Sequence, residues 1–204
     1  MTVALQDLAI EPLVLHLPTS LTLTDDQFFE LCQANKEMRL ERTAEGDILF
    51  MAPEGGETGS QSSELTHELR AWAKRDGSGV AFGSSTGFVL PNGAILSPDA
   101  AWVRKTRLRK LKPEQKKKFL PLCPDFVVEL LSPTDRLSAT MAKMQEYIDN
   151  GAHLGWLIDP ARRQVHIYRP SAKPERLNNG KKLSGDPELP GFTLDLRDIW
   201  DPGF

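Results

Sequence analysis

The run Pro124-Asp125-Phe126-Val127-Val128-Glu129-Leu130-Leu131-Ser132 constrains this chain most. It reads as a β-strand. Glu129 stands inside it with valines before and leucines after, so neither face of the strand is built for water. A carboxylate facing a core costs free energy unless it is paired, hydrogen-bonded or holding a metal. A second run, Ser97-Pro98-Asp99-Ala100-Ala101-Trp102-Val103, presents Asp99 at the entry of another apolar strand. Two such acids on neighbouring strands would make a site for a divalent cation.

At 204 residues and 40% hydrophobic content, the chain can bury one real core. The expected organisation is an N-terminal arm at residues 1–20 and a single domain at 21–204. No apolar stretch approaches the roughly 20 residues that a spanning helix needs. The N-terminus lacks the basic-then-apolar order of a secretion signal. Cys32 and Cys123 lie far apart without a CxxC spacing, as expected of reduced thiols in a cytoplasmic protein. His16, His67, His153 and His166 show no zinc-ligand spacing.

Periodicity organises the rest. Thr24 and Gln27 form a capping-box pattern at the start of a helix through about Ala34. Residues 38–42 and 47–51 flank Ala44-Glu45-Gly46 as a hairpin. Leu65, Leu69 and Trp72 give a helix over about 57–74 one apolar stripe. Strands are expected near 80–82, 86–90 and 94–103, with a short helix after Pro113. The strand at 126–131 is followed by a helix at 138–150, whose stripe includes Met141, Met144 and Ile148. Strands at 154–158 and 164–168 complete the pattern, and a weak helix or strand is expected near 194–200. The order strand, helix, strand over 126–158 predicts a parallel crossover. Hairpins with one crossover indicate a mixed-sheet α/β domain.

Asp99, Glu129 and Lys143 are the groups that phosphodiester hydrolysis needs. Two carboxylates hold Mg²⁺, which keeps several waters and takes further oxygens from a phosphate. A lysine positions the attacking water or stabilises charge on phosphorus. Asp125, at the entry of its strand, reads as a structural residue. Ser132, Thr134 and Asp135 read as caps of the following helix. Ser84, Ser85 and Thr86 read as loop hydrogen-bonding residues, with phosphate contact the alternative.

The ordered set Ser-Pro-Asp before an apolar strand, Pro-Asp-Phe-Val-Val-Glu-Leu-Leu-Ser-Pro, Lys143 four residues before Tyr147, Asn-Gly-Ala and Gly-Trp-Leu-Ile-Asp-Pro resembles the restriction endonuclease family of the PD-(D/E)XK superfamily over about residues 24–200. The resemblance implies a restriction-endonuclease-like α/β fold. Its mixed central β-sheet is flanked by helices, and an N-terminal helix and β-hairpin form an extension. It implies an active site where two strands diverge and Mg²⁺-dependent cleavage of DNA, with Mn²⁺ as a substitute. It makes Asp99 the first metal-binding carboxylate and Glu129 the second. In an E-x-K pattern the lysine would fall on Leu131, so the resemblance nominates Lys143 on the next helix, with Gln145 on the other flank as second choice. A first-helix acid often joins such sites. Glu64 is the candidate, with Glu57 and Glu68 behind it.

The net charge of −3 hides an asymmetry. Residues 104–118 hold nine Lys/Arg and one Glu, whereas the remainder holds 16 basic and 27 acidic residues. Such a segment suggests a polyanion contact. Arg104, Lys105, Arg107, Arg109, Lys110 and Lys112 are the candidate DNA-binding residues. Cleavage of both strands by a symmetric pair of sites would make the protein a homodimer. Two other readings stay open: a non-catalytic nucleic-acid-binding or protein-interaction domain on the same fold, and a different hydrolase using the same carboxylates and metal.

Overall fold

The computed structural model describes residues 13–18 and 20–204. Most of the expected arm at 1–20 lies outside the described residues. In chain order the elements are β1 (Leu13–Leu15), α1 (Asp25–Ala34), β2 (Arg39–Arg42), β3 (Ile48–Met51), α2 (Gly56–Asp76), β4 (Gly79–Gly83), β5 (Phe88–Val89), β6 (Ile95–Leu96), β7 (Ala100–Arg104) and α3 (Lys105–Leu108). They continue as β8 (Phe126–Leu130), α4 (Leu137–Asp149), β9 (Leu154–Asp159), β10 (Gln164–Tyr168), β11 (Glu175–Asn178), β12 (Lys182–Ser184), β13 (Thr193–Asp195) and α5 (Arg197–Trp200). A 3-10 turn at Gln115–Lys117 replaces the short helix expected after Pro113. None of the described helices is long and apolar enough to cross a membrane.

The central sheet has six strands in the order β11-β10-β9-β8-β7-β4. It is mixed: β8 and β9 pair in parallel, as the crossover through α4 requires, and the other pairs are antiparallel. Strict alternation explains the all-apolar run around Glu129. Phe126, Val128 and Leu130 enter a core shared with Leu65, Leu69 and Trp72 of α2. Val127 and Leu131 face the other way, into a core with Met144, Tyr147 and Ile148 of α4. Both faces are therefore covered, which fits a strand buried on two sides. Asp99 and Glu129 lie on the α4 side by the same parity.

A second sheet has the order β1-β3-β2-β6-β5. It contains the expected 38–51 hairpin, in register Arg39↔Met51 to Arg42↔Ile48. The capping box forms as expected, with Gln27 N–H donating to Thr24 Oγ1 and Thr24 N–H to Gln27 Oε1. Phe28, Leu40, Ile48 and Ile95 close a small third core beneath α1. The link Ser97-Pro98-Asp99 carries the chain from β6 in this sheet to β7 in the central one.

Two local expectations need correction. The N-cap of α4 is Arg136, without a side-chain cap hydrogen bond. Ser132, Thr134 and Asp135 instead bond among themselves in the preceding turn, Ser132 N–H donating to Asp135 Oδ2 at 2.8 Å. The C-terminal tail also holds more strand than expected, because Leu183, Phe192, Leu194 and Ile199 pack onto the α2 side of the central sheet.

β4 tolerates no side chain at its first residue. A Cβ on Gly79 would come within 2.1–2.4 Å of the Trp102 ring, and that ring is 2% exposed and cannot swing away. Gly79→Ala should therefore cost about 1–3 kcal/mol through overpacking. Urea unfolding followed by tryptophan fluorescence measures this, and an unchanged midpoint would contradict the packing described.

Candidate active site

The antiparallel ladder between β7 and β8 ends at Ala100↔Val128. Beyond it the strands part, and β8 continues alone with β9 through Leu130↔Ile158. The parting would leave the Leu130 N–H without a strand partner. Asp99 takes it instead: its Oδ2 accepts that N–H at 2.8 Å. The acid is thus fixed where the two strands diverge, with its carboxylate beside the residue that follows Glu129.

Glu129 is 6% exposed. Two groups of α4, one helical turn apart, meet its Oε1. Lys143 Nζ lies 3.0 Å away and Tyr147 Oη donates from 3.1 Å. Lys143 Nζ also donates to Glu41 Oε1 at 3.0 Å. Glu41 sits on β2 and is 1% exposed. The same oxygen accepts the Ser97 N–H at 2.8 Å. One ammonium therefore joins an acid from each sheet. Arg39, also on β2, places its guanidinium 3.6 Å from Asp99 Oδ1 and 3.7 Å from Glu54 Oε1, and it donates to the Ser97 carbonyl at 2.8 Å.

The electrostatics follow from burial. Desolvation raises the Glu129 carboxyl from 4.5 to about 8, against the opposing pull of Lys143 and with the support of Asp99 and Glu41. Desolvation also raises Asp99, while the Leu130 N–H, Lys143 and Arg39 work the other way. For Lys143, burial favours the neutral amine, but Glu129 and Glu41 outweigh it, and the ammonium is held above the usual lysine range. Burial, with Glu129 next, lifts the Tyr147 phenol well above its ordinary value. Lys143 is accordingly a permanent cation and hydrogen-bond donor here, and Tyr147 a donor.

The donor set fits a hard cation. It is all carboxylate oxygen, and Glu41, Asp99 and Glu129, with Glu54 beside Arg39, outnumber Lys143 and Arg39 by two formal charges. Among the described residues, no three acids, histidines or cysteines converge tightly enough to cage a metal. A Mg²⁺ ion would complete its shell with water and substrate oxygens, which is how it usually binds.

A family model, described as "Uma2: Putative restriction endonuclease", matches residues 25–197. The chain belongs to the Uma2 family. Among solved structures, one similar to this chain is a protein from Anabaena variabilis described as "a putative nuclease belonging to DUF820". It matches with a TM-score of 0.72 at 21% identity, covering 87% of this chain and 97% of that one. That likeness bears out the restriction-endonuclease-like fold. A comparison with curated proteins finds no match.

Within this Uma2 chain the structure brings Asp99, Glu129 and Lys143 together. It does not bring in Gln145, which is exposed and donates to Asp149 Oδ1 at 2.8 Å. Nor does it bring in Glu64, because α2 packs against the opposite face of the central sheet from α4 and Glu64 makes none of the contacts above. Glu57, on the first turn of α2, is exposed, and Glu68 also stands apart from the cluster. The basic segment begins at the far end of β7 from Asp99, about 17 Å away at a strand rise of about 3.3 Å per residue. There Arg104 and Arg107 stand 3.6 and 3.2 Å from buried Asp125, and Lys105 Nζ donates to the Gly77 carbonyl. Arg109, Lys110 and Lys112 lie in the exposed loop that follows, with Arg109 and Lys112 at the ends of short turns.

Glu41 was missed by sequence reasoning. Arg39-Leu40-Glu41-Arg42 looks like a hairpin strand with a wet face, because its charges dominate. In the fold Leu40, Glu41 and Arg42 are all buried. Arg42 spans the α1 side, bonding the Leu23 and Gly93 carbonyls and Asp25, and Glu41 faces the site. The available signal was the density of opposite charges in a four-residue strand, which suits internal pairing as well as solvent.

Lys143 is the strongest influence holding Glu129 down, so Lys143→Gln should move the Glu129 carboxyl above 8. Carboxyl-carbon NMR of glutamate-labelled protein measures this, and wild-type titration in the ordinary glutamate range would refute the burial argument. The folded protein also binds an extra proton at Glu129 between 4.5 and about 8. Stability contributed by this group therefore falls as pH rises through that window.

Proposed function

We propose that this protein is a Mg²⁺-dependent endonuclease that hydrolyses phosphodiester bonds of DNA. The observation that carries the reading is the convergence of Asp99, Glu129 and Lys143, with Glu41, where β7 and β8 diverge. Family membership supports a nuclease in general terms.

In this reading Asp99 and Glu129 hold the ion. The chemistry it supplies is neutralisation of charge at the phosphoryl group and acidification of water. Lys143 Nζ, kept protonated by Glu129 and Glu41, donates hydrogen bonds toward the phosphoryl oxygens and offsets charge that develops there. Glu41 is a positioning residue that fixes the ammonium between the two sheets. Tyr147 Oη fixes the Glu129 carboxylate, and the Leu130 N–H fixes Asp99. Water adds to phosphorus, the phosphorus–oxygen ester bond breaks, and the products are a phosphate monoester and a hydroxyl. One site per chain suits cleavage of both strands by a homodimer.

Purified protein should nick and then linearise supercoiled plasmid with Mg²⁺ or Mn²⁺, and EDTA should stop it. Asp99→Asn, Glu129→Gln and Lys143→Met should each lower the rate roughly 100-fold or more. Glu41→Gln, acting through Lys143, should cost about 10–100-fold. Wild-type rates in Asp99→Asn and Glu129→Gln would overturn the assignment. DNA retention without cleavage by any ion would favour the binding-domain reading.

A further inference from the structure

A groove of about 870 Å³ lies between α2 and the end of β4 with the turn that follows it. β4 is an edge strand of the central sheet, and its last residue, Gly83, is the part of it that lines the groove. The lining is chemically uniform. α2 contributes Ser63, Thr66, Arg70 and Lys74, and the turn after β4 contributes Ser84, Ser85 and Thr86. Its one aromatic side chain is the His67 imidazole, also on α2, and its one acid is Glu54 at one end.

Two links join that end to the active site. Glu54 lies 3.7 Å from Arg39, which lies 3.6 Å from Asp99. Gly83, also in the lining, pairs with Ala100, the residue after Asp99. From there α2 runs antiparallel to β4, and the cations lie progressively further from the site. Arg70 donates to the Ala81 carbonyl at 3.4 Å, which holds its guanidinium along the strand edge. Neither Arg70 nor Lys74 has a carboxylate partner among the described residues. Ser62 also lines the groove and is 9% exposed.

Resting on the nuclease reading, we infer that this groove seats the sugar–phosphate backbone of one DNA strand and delivers it to the site. Hydroxyls and cations are the groups that contact phosphate, and the single imidazole of His67 is no run of aromatic faces. Stacking platforms for single-stranded bases need aromatic rings. The contact is therefore independent of base sequence. From Gly59 to Lys74 the helix covers about 22 Å, enough for about six nucleotides at the 3.4 Å rise of a duplex strand. The principal backbone contact is this groove, and not the basic segment at 104–118.

The test is fluorescence anisotropy of a labelled 20-base-pair duplex on the full chain, in EDTA and in Ca²⁺, with plasmid cleavage in Mg²⁺ measured in parallel. Arg70→Ala/Lys74→Ala should weaken binding at least tenfold and reduce the log–log salt slope by about 2, near 0.9 per lost phosphate contact. Its kcat at saturating DNA should stay within a few-fold of wild type, because neither residue touches the reacting atoms. Circular dichroism melting checks that the double variant folds. Ser85→Asp, which places a negative charge in the turn, should weaken binding independently. Wild-type affinity in the folded double variant, with loss instead in Lys110→Ala/Lys112→Ala, would overturn the inference and leave the nuclease reading standing. A wild-type protein that neither binds nor cuts DNA removes the nuclease reading and this inference with it.

Discussion

The ammonium of Lys143 is the interaction on which the site depends. Glu41 and Glu129 are both buried, and they come from different sheets. Buried carboxylates without a partner would be protonated or would break the packing. A single Nζ at 3.0 Å from an oxygen of each lets them share one place. Removing one member of such a group leaves charge uncompensated in the interior, which usually costs about 3–5 kcal/mol. A core of hydrophobes would hold the same elements together with less penalty. The arrangement is therefore better explained by what it can bind than by stability.

The backbone makes the opening in which these groups sit. A regular ladder would pair the residues after Ala100 and Val128 and close the gap between β7 and β8. The chain instead comes from β6 in the second sheet through Ser97 and Pro98 and enters the central sheet at Asp99. Proline has no N–H to lose at such a break. The Leu130 N–H freed by the parting is satisfied by the Asp99 carboxylate, and the Ser97 N–H by Glu41. Each acid so occupies a position that a strand would otherwise fill. This is why the motif Ser-Pro-Asp reads as a strand entry in sequence and acts as a junction in space.

The central sheet and its helices were legible because their patterns are local: the apolar run at 126–131, the stripe of α2 and the capping box of α1 each follow from residues close in sequence. Asp99 and Glu129 were legible because an acid in an apolar strand contradicts its surroundings. Lys143 was a candidate by its chemistry and was nominated by the family resemblance, since nothing in helix periodicity separates an inward lysine from a solvated one. Glu41 was illegible for a different reason. Its burial depends on the second sheet closing over β2, and that closure joins residues 39–42 to residues 95–97 and 143, contacts with long sequence separation. The basic segment differs again. Its charge is local and conspicuous, but part of it serves the fold, with Arg104 and Arg107 beside Asp125 and Lys118 beside Asp26.

The raised Glu129 carboxyl and the oxygen-only donor set have one origin, an excess of negative charge in a dry place. Counting Glu41, Asp99, Glu129 and Glu54 against Lys143 and Arg39, the centre is formally two negative. Without a cation, Glu129 reduces the excess by holding a proton up to about 8. With a divalent cation bound and all four acids ionised, the formal charge of the centre would pass from two negative to neutral. Only in that state would the centre cease to repel a phosphodiester. Cations on the approach have a separate task, since they must hold a polyanion close to an acidic centre before that repulsion is lifted. Arg70 and Lys74 stand where this is needed, beyond the reach of Asp99 and Glu129 and on a path that ends at Glu54.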